Sequence, residues 1–303
     1  MQKLGKYLLE HRAVTAGVVL GCSLLSLFNI PIAWIGTILI ALTTLRCGAI
    51  TGFYILLWAA IPAIAMTIDH GWMFLLSDTL LGNFIVWAMA LILRRNNSWT
   101  ALLEILTSLG VIAVITINLL KPEIHVWYAK ELINAIGSLN TSFNLHLANT
   151  NIQLLATEMS KFVVGANLLF TGTILLSYLL IARYWQAKIY NPGGLQKEWS
   201  VVRLHRAFTI ISITLILTIF FAAKPMLLDI ALVLLIAFVF AGLSLAHTVL
   251  RNLQHGLGNA ILVILYFAMI FLFPYISGLL AIAALTDSWY DLRQRFNFTI
   301  KLK

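Results

Sequence analysis

Long apolar runs, broken at short intervals by a charge, a glycine or a proline, extend through almost the whole chain. No charge occurs from Ala13 to Leu45 and none from Cys47 to Ile68, so Arg46 stands alone between two apolar runs. On insertion scales an arginine at the bilayer centre costs about 2.5–3.5 kcal/mol, which argues that Arg46 sits at a membrane surface. The stretch Arg46-Cys47-Gly48-Ala49-Ile50-Thr51-Gly52 then reads as a cytoplasmic turn between two spans. Gly48 and Gly52 would let the chain reverse tightly and let the helices approach closely.

The same punctuation predicts about ten spans of about twenty residues each. They fall near 13–28, 31–45, 49–68, 72–93, 99–120, 163–185, 207–222, 226–250 and 257–273, with a short last span from Pro274 to the Asp287–Arg295 region. If 257–285 were instead one bent helix, the tail would move to the outer side. A short basic amphipathic lead, 1–12, precedes the first span. Residues 121–162 form the longest polar interval. Within it Leu132, Ile136, Leu139 and Phe143 fall at helical spacing, as do Ile152, Leu155, Met159 and Phe162, so two amphipathic helices are expected at the outer surface. Asn140, Asn144, Asn149 and Asn151 cluster at the break between them. A basic loop, 188–206, carries the turn Asn191-Pro192-Gly193-Gly194.

Composition agrees with this layout. Of the 303 residues, 61% are hydrophobic and 10% charged, against about 25% charged in soluble domains. The net charge of +9 is scattered between apolar runs rather than gathered in a stripe, so it argues for topology and lipid contact and against nucleic acid. On the ten-span layout sixteen of the 20 basic residues fall on one side, and Lys121, Lys130, Lys161 and Lys224 on the other. The positive-inside rule then gives both termini in the cytoplasm. The expectation is an all-α, polytopic protein of the bacterial inner membrane, a single membrane domain over 1–303 with an outer helical insert. Cys22 and Cys47 are too few for a disulfide framework and lack metal spacing, and no cofactor or metal is expected. Lys3, Lys6 and Arg12 ahead of Val19-Leu20-Gly21-Cys22 faintly imitate a lipoprotein signal, but the chain stays apolar past Cys22, which favours an uncleaved span.

Carboxylates inside apolar runs are costly and should face protein, water or a ligand. Asp78 lies inside the fourth span, with Asn83 five residues on and Trp72 before it. Asp229 lies inside the outer end of the eighth. These four are the candidate lining of an outward-facing pocket; the competing reading is interfacial carboxylates solvated by headgroups. Asn118 and Asn167 read as interhelical hydrogen-bonding groups. His247 and His255 are eight residues apart and fall on different elements, which does not suit a metal pair. The 188–206 loop, with Pro192, Gly193, Gly194, Glu198 and Arg203, reads as a rigid turn and amphipathic helix or as a partner-docking surface. Asp287, Asp291 and Arg293 read as a surface anchor at the end of the last helix, each pair worth a few tenths of a kcal/mol.

The Leu45–Gly52 turn after a Pro31-containing run resembles the early helices of substrate-capturing subunits of energy-coupling-factor vitamin transporters. It resembles more closely the YybS-like membrane proteins, a family related to those subunits. The loop Asn191-Pro192-Gly193-Gly194-Leu195-Gln196-Lys197-Glu198-Trp199 with Val202-Arg203-Leu204, and the end Leu285-Thr286-Asp287-Ser288-Trp289-Tyr290-Asp291-Leu292-Arg293, are similar to that family's other recurrent features. The resemblance implies a membrane protein that binds a small molecule from the outer side and docks on a membrane partner. Capture subunits have fewer helices and dock through alanines one turn apart on the first helix. Here that face would be Ala13, Gly17 and Gly21. A membrane scaffold that organises other envelope proteins is the alternative. A membrane-embedded transferase would want clustered carboxylates, which are dispersed here.

Overall fold

The structure, a computed structural model, describes residues 2–28, 32–70, 78–143, 148–222, 224–251 and 257–294, with the side chains of residues 2, 27, 66–70, 78, 79 and 220 left outside that description. All regular structure among the described residues is helical. In chain order the helices are α1 (Gln2–Glu10), α2 (Arg12–Leu27), α3 (Ala33–Cys47), α4 (Ala49–His70), α5 (Asp78–Asn96), α6 (Trp99–Leu120), α7 (Ile124–Phe143) and α8 (Asn149–Ser160). They continue as α9 (Val163–Tyr190), α10 (Gly194–Ser200), α11 (Arg206–Phe221), α12 (Pro225–Arg251), α13 (Leu257–Phe271) and α14 (Phe273–Tyr290). The stretch around Trp72 lies outside the described residues, and the helix expected there begins at Asp78.

Among the described residues three helices, α6, α9 and α12, are long and apolar enough to cross a membrane. The pair α1 and α2, bent by 105° at a short break, adds a fourth broken candidate. Shorter apolar helices cover Ala33–Cys47, Ala49–Ala65, Arg206–Ile219 and Leu257–Phe271. Much of the surface is apolar: Ile50 is 87% exposed, Phe221 90% and Ile270 73%. Such surface is costly in water and suits hydrocarbon contact. Residues 257–290 form two helices, α13 and α14, with Leu272 between them and Pro274 in the first turn of α14. Proline fits there because the first-turn N–H has no helical partner to lose.

The chain divides into two compact units whose boundaries fall inside α6, inside α9 and after α10. Unit 1 is Met1–Leu102 with Thr173–Val201, and unit 2 is Leu103–Gly172 with Val202–Lys303. At the centre of unit 1 lies α3, buried without interruption from Gly36 to Leu45 and packed on α2, α4 and α5. The Arg46–Gly52 turn is held by backbone geometry. Gly48 has φ 103°, and its N–H and Arg94 Nη1 both donate to the Thr44 carbonyl, at 3.1 and 3.0 Å. Those donors satisfy a carbonyl that the helix end leaves open. A Cβ on Gly52 would land on the Thr44 hydroxyl and 3.0 Å from its Cα, so only glycine allows α3 and α4 to meet here. Arg46 lies over the Tyr190 ring, 3.9 Å from its centroid.

In unit 2 the central helix is α12, packed most extensively on α14, with Val239 and Leu243 against Leu280. A Cβ on Gly242 would meet the Leu280 backbone carbonyl. Residues 202–205 run outside helix and are tied down by side chains. Ser244 Oγ donates to the Val202 carbonyl at 3.3 Å and Ser288 Oγ to the Leu204 carbonyl at 2.9 Å. The His205 N–H donates to Glu104 Oε1 at 2.7 Å. These bonds replace the backbone ladder that irregular buried chain lacks.

Candidate functional site

Of the carboxylates singled out in the sequence, Asp229 has the most informative surroundings. It lies in the second turn of α12 and is fully buried. Its Oδ1 accepts the Gly165 N–H at 2.7 Å. Gly165 is in the first turn of α9, where N–H groups have no partner within their own helix and the helix end carries partial positive charge. The carboxylate of α12 therefore caps α9. Close approach makes this possible: a Cβ on Gly165 would land on the Asp229 backbone, 2.9 Å from its carbonyl carbon.

The other oxygen, Asp229 Oδ2, is buried and accepts no hydrogen bond among the described residues. Beside it, 3.4 Å away, is Nε2 of His125, close enough for charge attraction but not for a well-formed hydrogen bond. His125 is in the first turn of α7. Its Nδ1 lies 2.9 Å from the carbonyl of Ser160, the last residue of α8, and its Nε2 lies 3.2 Å from Asn118 Oδ1 on α6. One imidazole and one carboxylate thus join α6, α7, α8, α9 and α12.

The remaining predicted residues are distributed differently. Asn83 belongs to unit 1, is buried, and accepts the Thr37 hydroxyl at 2.6 Å, joining α5 to α3. Asp229 belongs to unit 2. Trp72, His255 and the side chain of Asp78 lie outside the described residues. Asn118 takes part in the His125 cluster, while Asn167 accepts the Thr171 hydroxyl within its own helix at 3.3 Å. His247 meets the Tyr266 hydroxyl at 2.7 Å, joining α12 to α13. On α2, Ala13 and Gly17 are exposed and Gly21 half-buried, and nothing lies within 4 Å of a Cβ built on either glycine.

Glu198 and Arg203 of the 188–206 loop are engaged within the chain. Glu198 forms an ion pair with Arg183, whose Nε donates to Oε2 at 3.0 Å, and accepts Trp99 Nε1 at 3.3 Å. Arg203 pairs with Asp291 at 2.7 Å and donates to the Ser288 carbonyl at 3.1 Å. Pro192 and Gly193 are exposed, and Gly193, at φ 82°, leads into Gly194 at the start of α10. The end of α14 is a different object from the surface anchor expected of it. Arg293 Nε lies 2.9 Å from Asp287 Oδ2 with both side chains enclosed, and its guanidinium also reaches the Val202 carbonyl. Asp291 pairs with Arg203.

Two features escaped the sequence reading. His125 gave no spacing signal, being one of two histidines in a polar interval, although Asn118 lies two turns before it. Glu104 accepts both the backbone N–H of His205 and its Nδ1, at 2.7 and 2.8 Å. Its partner lies far along the chain.

No protein-family model, no curated protein and no solved structure matches this chain.

Proposed function

We propose that the chain is a multi-pass protein of the bacterial inner membrane, with about ten spans, both termini in the cytoplasm, and α7 and α8 as an outer insert. It binds a small molecule from the outer side and serves its capture or transport, as the resemblance to vitamin-capture subunits implies. The observation that carries this reading is the wholly enclosed carboxylate of Asp229, set inside the apolar helix α12. A carboxylate inside an apolar helix is costly, and in membrane proteins such groups mark substrate or ion pathways. The reading places Asp229 toward the outer end of α12, because Lys224 and Pro225 form the outer turn. A docking scaffold built on residues 188–206 has less support, since Glu198 and Arg203 already have partners within the chain.

The test is thermal stabilisation of the purified, lipid-reconstituted protein across vitamins, other metabolites and lipids. A ligand is expected that stabilises the wild type and acts less on Asp229→Asn or Asp78→Asn, with insertion unchanged. Absence of stabilisation by every compound class would overturn the reading.

A further inference from the structure

The hydrogen-bonding roles around the His125 ring are almost completely fixed. Nδ1 faces the Ser160 carbonyl at 2.9 Å; a carbonyl only accepts, so Nδ1 carries a hydrogen. Nε2 faces Asn118 Oδ1 at 3.2 Å and Asp229 Oδ2 at 3.4 Å. Turning the Asn118 amide over does not supply a donor, because its Nδ2 already donates to the Val114 carbonyl at 2.9 Å. The turned amide would set oxygen against oxygen. A neutral ring beside an ionised carboxylate would therefore leave the Nε2 lone pair facing two acceptor oxygens with no hydrogen between them, one of the two on a fully buried carboxylate.

We propose that His125 and Asp229 form a proton-binding site, in which one proton held between Nε2 and Oδ2 fastens α7 and α8 to α12. The ring sits at the C-terminal carbonyl end of α8 and the carboxylate at the N-terminal end of α9. Neighbouring charges do not compete. Glu158 and Lys161 pair with each other at 2.6 Å on the surface, Lys121 and Glu123 are exposed, and α9 contributes only a backbone N–H. His247 and Arg251 lie toward the other end of α12. Among the described residues no other titratable side chain is in hydrogen-bond or ion-pair contact with either member. Loss of the proton leaves the three acceptors facing one another and releases the insert. The inference does not depend on any solute binding to the protein.

The test is amide hydrogen exchange of the full-length protein in lipid nanodiscs at about pH 6 and about pH 9, corrected for the intrinsic rate. In the wild type, α7 and α8 should lose protection on the order of tenfold at the higher pH while α12 does not. In Asp229→Asn the amide oxygen keeps the Gly165 bond and the amide nitrogen can donate to neutral Nε2, so protection should no longer fall at the higher pH. His125→Gln holds no exchangeable charge and should also lose the pH response, which keeps the test decisive if the Asp229 variant does not fold. Equal wild-type protection at the two pH values, or a response unchanged in both variants, would overturn the proposal. Neither outcome bears on the ligand screen, so the two readings fail separately.

Discussion

Arg293 and Asp287 form an ion pair with both side chains almost wholly enclosed, Nε to Oδ2 at 2.9 Å, although they lie at the end of the chain's last described helix. Asp287 Oδ1 also accepts the Leu292 N–H at 3.0 Å, and the arginine reaches across to the Val202 carbonyl. Removing one partner of such a pair strands the other without water. Arg293→Ala should therefore destabilise the protein by about 3–5 kcal/mol. Denaturant unfolding in mild detergent measures it, with Asp287→Asn/Arg293→Gln as the double variant that should recover part of the loss.

Arg203 and Asp291 are close in geometry but more open, at 29% and 30% exposure. Solvent screening reduces what that pair contributes, so Arg203→Ala should cost about 1 kcal/mol or less. The same unfolding assay ranks the two arginines, and equal losses would contradict the difference in enclosure.

Gly165→Ala places a methyl group against the Asp229 backbone and should cost about 1–3 kcal/mol, because backbone cannot step aside as a side-chain tip can. Gly17→Ala and Gly21→Ala meet open space inside α2 and should cost nothing, raising stability by up to about 1 kcal/mol each. The contrast is read from thermal midpoints of the three variants.

Gly48→Ala forces a left-handed φ on a residue with a Cβ, and the added methyl would also crowd the Arg94 guanidinium 3.2 Å away. A loss of about 1–2 kcal/mol is expected from the backbone alone. Arg94→Leu, which removes one donor to the Thr44 carbonyl, should weaken the same turn without that strain. Measuring both by unfolding separates strain from lost capping.

Orientation is tested by labelling single cysteines in a Cys22→Ser/Cys47→Ser background. Asn96→Cys and Lys197→Cys should react with impermeant maleimide only from the cytoplasmic side, and Asn134→Cys on α7 only from outside. Reversed reactivity would invert the proposed topology.

The helices were legible where punctuation is sharp. Pro225 opens α12 and Arg251 closes it, and the apolar spacing of 132–143 and 152–162 foretold α7 and α8. Glycines at 48 and 52 announced their turn because a tight reversal is local. Side-chain partnerships were harder to read. Asp287, Asp291 and Arg293 look like one local anchor, yet the chain divides them between Val202 and Arg203, far away in sequence. Asp229 was visible as a carboxylate in an apolar run, but its two partners, Gly165 and His125, come from two other helices. No periodicity encodes such a meeting. Asn83 looked like a lining residue because a polar amide in an apolar helix has the same sequence signature whether it serves a ligand or the Thr37 hydroxyl.

The contact between Gly165 and Asp229 has a mechanical consequence. Main chain touches main chain there, so no rotamer-rich layer lies between the start of α9 and α12 to absorb sliding. The two segments are obliged to travel as one body. Any internal motion has to be hinged at other joints of the chain.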